Sequence, residues 1–369
     1  MGERFEVEFE IRADSPAEAR ARAEDITVEQ TLEMSPALVA DTITEAMAGR
    51  VQSLEPLQPG RHRAVVSFPV ESTGGELTQF LNVLFGNISL KPGLRITDIA
   101  WAPSLLQGFG GPGHGMPGLR AATGAGDRPL LCTALKPMGL SAGELAQRCE
   151  AFARGGIDII KDDHGLADQA SAPFRERLER CQQAVTRANA ATGGRSLYFP
   201  NVTAGPGELP ARLAAAQEAG CRGVLLNAWV TGLATLGWLR ERTGLMVMAH
   251  PALTGAYFGA DHGIAVEVLL GDLFRVAGAD AVIYPNTGGR FGLSQQTCEA
   301  LNHRLRHPLG ALRPAAPVPA GGMDLDSIPH WARRYGPDTV FLVGGGLYAQ
   351  GDLEAAARQL RDKATASYD

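Results

Sequence analysis

The chain has few aromatic residues, few charged residues and no long apolar run. Of its 369 residues, 6% are aromatic, 20% are charged and 45% are hydrophobic, a balance that predicts a globular core and argues against disorder. No run of about 20 apolar residues is present, and the first residues form no apolar signal segment. We therefore expect no membrane partner.

Basic clusters and paired cysteines are also missing. The net charge is −6 and no basic block occurs, which argues against a nucleic-acid partner. The five cysteines are scattered, odd in number and include no Cys-x-x-Cys pair. This usage suits a reducing compartment in which each thiol is a small buried hydrophobe. We therefore expect a cytoplasmic protein.

Residues 1–125 are predicted to form an N-terminal α+β domain of ferredoxin-like type. Apolar residues alternate over 4–12 as in a half-buried strand, and Pro16 lies in the first turn of a predicted helix. Further strands are predicted over 50–56, 62–70 and 96–101, and further helices over Pro36–Met47 and up to Phe85.

A glycine- and proline-rich segment over 104–128 predicts a linker or covering loop. Gly108, Gly110 and Gly113 match the spacing of a dinucleotide-binding fingerprint. We reject that match because Pro112 lies inside it and no surrounding βαβ unit is present.

Residues 126–369 show the repeating pattern of a (β/α)8 TIM barrel, which is the predicted catalytic domain. The short apolar runs are separated by predicted amphipathic helices, such as Ala142–Arg154, Phe174–Ala191, Leu209–Ala219, Gly263–Ala277 and Leu353–Leu360. An open doubly wound sheet is the alternative, but the even spacing favours the barrel. The eight predicted strands cover 129–135, 156–161, 196–201, 223–228, 245–250, 280–285, 316–320 and 338–343.

In a TIM barrel the functional residues gather where the strands end. Lys136 follows the first strand, where burial can lower the pKa of a lysine and make it a base, or where it can simply form an ion pair. His250 ends the fifth strand. It is a candidate substrate hydrogen-bonder or proton shuttle, and a buried core histidine is the alternative.

The second strand ends in Lys161-Asp162-Asp163-His164, and strand periodicity places Lys161 and Asp163 on the same face. An ammonium is a poor metal ligand. A carbamate formed from CO2 and a neutral Lys161 amine would, together with Asp163, offer an oxygen-rich site for Mg²⁺. A structural salt bridge between the two side chains is the alternative.

Glycine turns follow the last two strands, and turns of this kind expose backbone N–H groups that hold a phosphate. A phosphorylated small molecule is the predicted substrate. Arg290, in the loop after the sixth strand, suits closure over an anion, and a mobile surface loop is the alternative. The predicted phosphate-binding glycines are Gly321, Gly322, Gly344, Gly345 and Gly346.

Taken together, these segments resemble the RuBisCO large-subunit superfamily in order and spacing over nearly the whole chain. The resemblance implies a TIM barrel with an N-terminal domain that covers the partner's site in a homodimer. The matching segments are 136–141, 155–163, 201–205, 231–232, 320–322 and 344–346.

The resemblance also implies roles for single residues. Lys136 would take or return the proton. Lys161, as a carbamate, would bind Mg²⁺ together with Asp163. Glu29, Thr31 and Asn87 resemble active-site residues that the N-terminal domain supplies to the partner subunit.

Several positions depart from the pattern of a carboxylase. His164 stands where the metal site has Glu; because imidazole suits transition metals better than Mg²⁺, His164 is either a metal ligand or an acid–base group. In carboxylases of the family an arginine, a histidine and a serine hold one of the two phosphates, and this chain has Pro251, Tyr284 and Pro285 at those positions. Losing charge-assisted contacts of about 1.5–3 kcal/mol each would abolish binding of a second phosphate. The other replaced positions are Met138 and Ala320.

These departures predict a RuBisCO-like protein that acts on a sugar monophosphate and does not fix CO2. The first hypothesis is an isomerase or tautomerase of the 5-methylthioribulose 1-phosphate type, with Met138, Pro251 and Tyr284 around an apolar methylthio group. The second is a transcarboxylase/hydrolase or decarboxylase of a branched 3-oxo sugar-acid phosphate, such as 3-oxo-isoapionate 4-phosphate. The third is a non-catalytic binding protein, which the presence of Lys136, Lys161 and Asp163 together argues against.

Overall fold

The computed structural model describes residues 2–367. Contacts divide the chain into two compact units. The first runs to Gly111 and includes Leu253–Ala277 and Leu309–Leu312; the second comprises Pro112–Ala252, Gly278–Pro308 and the chain from Arg313 onward. The predicted domains, 1–125 and 126–369, stay a prediction. Among the described residues, no helix has the length and apolar character needed to cross a bilayer.

The first unit contains a five-stranded mixed sheet in the order β10-β4-β1-β3-β2. The central strand β1 is antiparallel to both neighbours and buries alternate residues, as its apolar alternation predicts. This unit confirms the predicted α+β fold. The strands are β1 (Arg4–Arg12), β2 (Arg50–Gln58), β3 (Arg61–Pro69), β4 (Leu94–Ala100) and β10 (Gly263–Ile264).

The helix predicted over Pro36–Met47 is wrong, since the segment forms a 3-10 turn at Pro36–Leu38 and a separate helix, α2. None of the residues in either piece is buried, so no packing holds a continuous helix. The α-helices of this unit are α1 (Pro16–Glu29), α2 (Asp41–Met47), α3 (Leu77–Phe85), α4 (Pro103–Phe109) and α11 (Phe274–Ala277), the last following a π-helical segment at Glu267–Leu273.

The helix predicted over Gly263–Ala277 is wrong at its start. Gly263 and Ile264 pair with β4 as a short parallel strand. Ala265 continues the pairing, since its N–H donates to the Ile96 carbonyl at 2.8 Å. These edge hydrogen bonds hold the first residues extended, and helical structure begins at Glu267.

The loop predicted over 104–128 is also wrong, because the segment contains α4 and α5 (Gly115–Thr123). The glycines and proline that suggested a loop are helix boundaries: Pro103 begins α4, and Gly110 and Gly124 end the two helices in the left-handed conformation.

The second unit is a barrel of eight parallel strands, which confirms the predicted TIM-barrel fold. The order is β7-β6-β5-β13-β12-β11-β9-β8. The strands are β5 (Leu130–Leu135), β6 (Ile159–Asp162), β7 (Leu197–Phe199), β8 (Gly223–Asn227), β9 (Met246–His250), β11 (Ala281–Pro285), β12 (Ala316–Ala320) and β13 (Val340–Leu342).

The barrel closes between β7 and β8 beyond the end of β7, at a bridge between Asn201 and Leu225. Leu225 N–H donates to the Pro200 carbonyl at 2.9 Å, and the Leu225 carbonyl accepts from Val202 N–H at 3.0 Å. Gly223 is required at this seam, because a Cβ there would lie 2.3 Å from the Phe199 ring.

Helix α5 covers the amino-terminal end of the barrel. Met116, Leu119 and Ala122 join the cluster of buried residues formed by the first residues of the strands, such as Leu130 and Met246. The other helices of this unit are α6 (Ala142–Arg154), α7 (Phe174–Thr192), α8 (Leu209–Glu218), α9 (Ala228–Thr231), α10 (Thr235–Thr243), α12 (Gln295–Arg306), α13 (Ile328–Tyr335), α14 (Gly345–Tyr348) and α15 (Leu353–Thr365).

Candidate active site

Lys136 follows the last residue of β5, and its main chain is held from several directions. Its N–H donates to the Tyr348 hydroxyl at 3.0 Å, and that hydroxyl donates to the Ala134 carbonyl at 3.0 Å. Its own carbonyl accepts from Arg148 at 2.5 Å. The Lys136 ammonium lies 3.8 Å from Asp163 Oδ1. The backbone is therefore fixed, while the side chain is 38% exposed and its amine points toward a carboxylate.

Lys161 is 2% exposed, and its Nζ donates to the carbonyl of Asp162 at 3.2 Å. Burial lowers the pKa of this amine, because the charged form loses hydration. Asp163 forms ion pairs with Lys136 and His164. The structure thus keeps Lys161 and Asp163 near each other without pairing them in the salt bridge considered as an alternative.

Asp163 is anionic in this environment. Burial by itself would raise its pKa, but the hydrogen bond with His164 and the charges of Lys136 and Lys161 outweigh burial and lower the pKa below its ordinary value. A carboxylate flanked by two lysines is set up to bind a cation or to orient one of those lysines.

His164 and His250 stack with their ring centroids 4.4 Å apart and their planes 6° from parallel. His164 Nδ1 lies 3.2 Å from Asp163 Oδ1. His250 Nδ1 accepts a hydrogen bond from Ala252 N–H at 3.1 Å. Burial lowers the pKa of His250 well below its usual range, with Lys161 acting in the same direction. His250 is therefore neutral and carries its proton on Nε2, which makes it a hydrogen-bond donor.

Asp162 has a structural role that the sequence analysis missed. It is fully buried and faces away from Asp163, toward α7. Its carboxylate accepts from Arg177 Nε at 3.0 Å, from the Tyr198 hydroxyl at 2.8 Å and from Asn201 N–H at 3.0 Å. The strand period of two was the signal that could have found it, since a neighbour of Lys161 must point to the other face.

Two carboxamides hold the loop that carries His164. Asn201 Nδ2 donates to the carbonyls of His164 at 2.9 Å and Leu166 at 2.8 Å. Asn227 Nδ2, from the end of β8, donates to the same His164 carbonyl at 3.2 Å. Asn227 was not among the predicted site residues, because nothing in its local sequence marks it.

The glycine loops after β12 and β13 lie at one edge of the barrel, since Ala320 pairs with Leu342. Gly322 has a φ of +66°, and a Cβ there would lie 2.7 Å from the Gly289 nitrogen and the Thr287 carbonyl oxygen. Only glycine fits this close backbone approach. Gly321 precedes it, while Gly344 caps α14 and Gly345 and Gly346 begin it.

Arg290 is exposed, and its guanidinium lies 5.6 Å from the centroid of the exposed Phe291 ring. No recorded contact joins Arg290 to the lysines or histidines of the site in the described residues. Its predicted role as an anion clamp stays a prediction.

The expectation that Tyr284 lines the substrate site is wrong. Ile283 belongs to the barrel interior, so the next residue of the strand points outward, toward the helices. Tyr284 is fully buried, and burial raises its pKa well above the ordinary value, with Tyr335 and Cys298 acting in the same direction. Met138, by contrast, is 54% exposed in the loop after β5.

In the first unit, Glu29 and Asn87 lie together. Asn87 Nδ2 donates to Glu29 Oε1 at 3.2 Å, and Lys91 contacts Glu29 Oε2 at 3.0 Å. Gln30 fixes this arrangement, because its buried side chain accepts from Ile88 N–H at 3.1 Å. The Thr31 hydroxyl is used locally and donates to a carbonyl of α1. Their role in a partner's site stays a prediction.

The donor groups suit a divalent cation only if Lys161 contributes. The described residues 2–367 contain no group of three or more His, Cys, Asp or Glu side chains that could hold a metal. Asp163 and His164 supply one carboxylate oxygen and one imidazole nitrogen, 3.2 Å apart. A carbamate on the buried Lys161 amine would complete an oxygen-rich set, and the lowered pKa of this amine favours the neutral form that reacts with CO2.

A family model of the ribulose bisphosphate carboxylase large chain, catalytic domain, matches residues 115–367. The chain belongs to the RuBisCO large-chain family. Within this family it is a RuBisCO-like protein, as predicted. It is 40% identical over 362 residues to the ribulose bisphosphate carboxylase-like protein 1 of Rhodopseudomonas palustris, with 97% of each chain covered.

Two further similarities span nearly the full length of this RuBisCO-like chain. It is 38% identical over 367 residues to the 5-methylthioribulose-1-phosphate isomerase of Rhodospirillum rubrum, covering 99% of this chain and 95% of the relative. The crystal structure of a RuBisCO-like protein from Rhodopseudomonas palustris superposes with a TM-score of 0.91 at 37% identity, covering 100% and 99% of the two chains.

Proposed function

We propose that this RuBisCO-like protein is an enolising isomerase or tautomerase of a sugar monophosphate, of the 5-methylthioribulose 1-phosphate type. The observation that carries the proposal is the cluster in which the Lys136 ammonium lies 3.8 Å from the Asp163 carboxylate, beside the stacked His164 and His250. The relative that is named as such an isomerase supports the choice of substrate.

The proposed reaction moves a proton from the carbon next to a ketone to the carbonyl carbon itself. Lys136 removes the proton from the carbinol carbon next to the ketone, and the electron pair passes to the carbonyl oxygen to give an enediolate. The hydroxyl proton of the enediolate passes to the former carbonyl oxygen, and the C–H proton returns at the former carbonyl carbon, so that the carbonyl ends on the neighbouring carbon. The anionic Asp163 orients the Lys136 amine. His250 donates its Nε2 proton as a hydrogen bond to the developing oxygen charge.

We propose that Mg²⁺ binds to Asp163 and to a carbamate on Lys161, with His164 either as a further ligand or as an acid–base group. A bound cation would polarise the ketone and stabilise the enediolate. Incubation with ¹³C-bicarbonate should label Lys161, and the label should be absent in Lys161→Met. An unlabelled wild-type protein that turns over without added metal would contradict the cation site.

We propose further that Gly321, Gly322, Gly344, Gly345 and Gly346 hold the single phosphate and that Arg290 closes over it. The left-handed turn at Gly321 and Gly322 leaves main-chain N–H groups available to oxygen acceptors. Glu29, Thr31 and Asn87 would come from the second subunit of a homodimer. A strictly monomeric protein in solution would contradict that part of the proposal.

The direct test is solvent exchange with 5-methylthioribulose 1-phosphate in D2O. The wild-type protein should incorporate deuterium next to the ketone and release an isomer, and Lys136→Met should do neither. If the wild type gives no exchange, the isomerase proposal fails. Turnover of a branched 3-oxo sugar-acid phosphate would then favour the transcarboxylase/hydrolase or decarboxylase alternative.

A further inference from the structure

Asn227 has a buried oxygen with no hydrogen-bond partner. The residue ends β8 and is 7% exposed. Its Nδ2 donates to the His164 carbonyl at 3.2 Å. Its Oδ1 is buried and has no hydrogen-bond partner among residues 2–367. An unfilled buried acceptor costs about 1–3 kcal/mol, so such atoms in a folded protein call for an explanation.

The orientation of this carboxamide is fixed by its partner. The His164 carbonyl can only accept a hydrogen bond, so the NH2 end of Asn227 must face it and the oxygen must be the free end. Turning the amide over would place two acceptors against each other. The atom left without a partner is therefore an acceptor.

Asn201 provides the contrast within the same network. Its Nδ2 donates to two carbonyls, and its Oδ1 accepts from the Thr203 N–H at 3.1 Å and the Thr203 hydroxyl at 2.6 Å. Every hydrogen-bonding atom of this carboxamide has a partner. Both asparagines hold the His164 loop, but of the two only Asn227 has a side-chain oxygen without a hydrogen-bond partner.

Asn227 also lies beside the candidate catalytic groups. It pairs in register with His250 of the neighbouring strand β9, and the ring of His250 stacks on that of His164. A neutral acceptor in this place suits a hydroxyl group, because phosphate and carboxylate oxygens carry negative charge and have no proton to donate.

We infer that Asn227 Oδ1 accepts a hydrogen bond from a hydroxyl of the sugar chain and so selects a hydroxylated substrate. Asn227 then has two functions, since one end of its side chain positions the His164 loop and the other binds the substrate. The inference rests on the proposed function for the identity of the sugar. Its test uses a ligand that binds without reacting.

Ribitol 5-phosphate and its 2-, 3- and 4-deoxy derivatives are suitable probes, because they have no ketone and cannot enolise. Calorimetry should show that the wild-type protein binds one deoxy derivative about threefold to tenfold more weakly than ribitol 5-phosphate, the loss of one neutral hydrogen bond. In Asn227→Ala this difference should vanish.

Asn201→Ala is the matched control, because it removes two hydrogen bonds from the His164 loop and no spare acceptor. It should weaken all four ligands by the same factor and keep the difference between them. Equal binding of all four ligands by the wild type, or a difference that survives in Asn227→Ala, would overturn the inference. Thermal unfolding of each variant shows whether it is folded.

The two proposals fail in different ways. Discrimination that depends on Asn227, in a wild-type protein that exchanges no substrate protons, would reject the isomerase and keep the hydroxyl site. Proton exchange without discrimination would keep the isomerase and reject the hydroxyl site.

Discussion

Asp162 and Asp163 are neighbours in the chain but serve the two faces of the barrel wall. Asp162 points outward, is fully buried and accepts from a guanidinium, a phenol and a main-chain N–H. Asp163 points inward, keeps 19% of its side chain exposed and lies near two partly exposed side chains, Lys136 and His164. The difference teaches that the outer carboxylate holds the fold together, while the inner one remains available for chemistry.

Lys136→Met should give the largest effect of all, a loss of turnover with little loss of stability. Removal of a general base typically lowers turnover about 10²- to 10⁴-fold. Stability should change by less than about 1 kcal/mol, because a partly exposed ion pair contributes little. Solvent-exchange kinetics and urea unfolding measure the two effects. A variant that is active but unstable would reverse the assignment of this face.

Asp162→Asn should give the largest loss of stability. It leaves the Arg177 guanidinium buried without its counter-charge, which costs about 3–5 kcal/mol. Urea unfolding measures the loss, and Asp163→Asn is the matched control at the neighbouring position. Equal losses in the two variants would remove the distinction between the faces.

Tyr198→Phe tests the outer face more gently. The hydroxyl of Tyr198 donates to Asp162 at 2.8 Å within the buried network. Hydrogen bonds to charged groups contribute about 1.5–3 kcal/mol, so the free energy of unfolding should fall by that amount with KM unchanged. A change in KM without a change in stability would show that this network communicates with the substrate.

Asp163→Asn should lower stability less than the two outer-face variants and should have a distinct pH dependence. The pKa of Asp163 is lowered on folding, so its stabilisation is present above the unfolded pKa of about 4 and is lost as the pH falls through the folded value. After allowance for partial exposure, this amounts to about 1–2 kcal/mol. The difference in free energy of unfolding between wild type and variant should therefore be smaller at pH 3 than at pH 7. An equal difference at the two pH values would contradict the lowered pKa of Asp163.

The strand ends were predictable from sequence because apolar runs and their polar termini are local signals. Strand alternation could also have placed Asp162 and Tyr284 on the outer face, once Lys161 and Ile283 were assigned to the interior. Pro103, Gly110 and Gly124 are local signals of helix boundaries, but the high glycine content of their segment predicts a loop.

Asn227 could not be found in this way. Its side-chain nitrogen donates to the carbonyl of His164, 63 residues earlier in the chain. That hydrogen bond leaves its side-chain oxygen without a partner among the described residues. The stacking of His164 on His250 is equally non-local, since it joins the ends of β6 and β9. Contacts of this kind arise from the closure of the barrel, which no local pattern encodes.

That closure leaves β7 and β8 joined by few main-chain contacts in the barrel wall. β5 and β6 pair at four positions, whereas β7 and β8 are joined at one bridge, Asn201 to Leu225. The two asparagines that hold the His164 loop stand on either side of the joint. Amide hydrogens of β7 and β8 should exchange with solvent faster than those of β5 and β6. A sugar phosphate that binds Asn227 should slow that exchange by stabilising the pairing of β7 with β8.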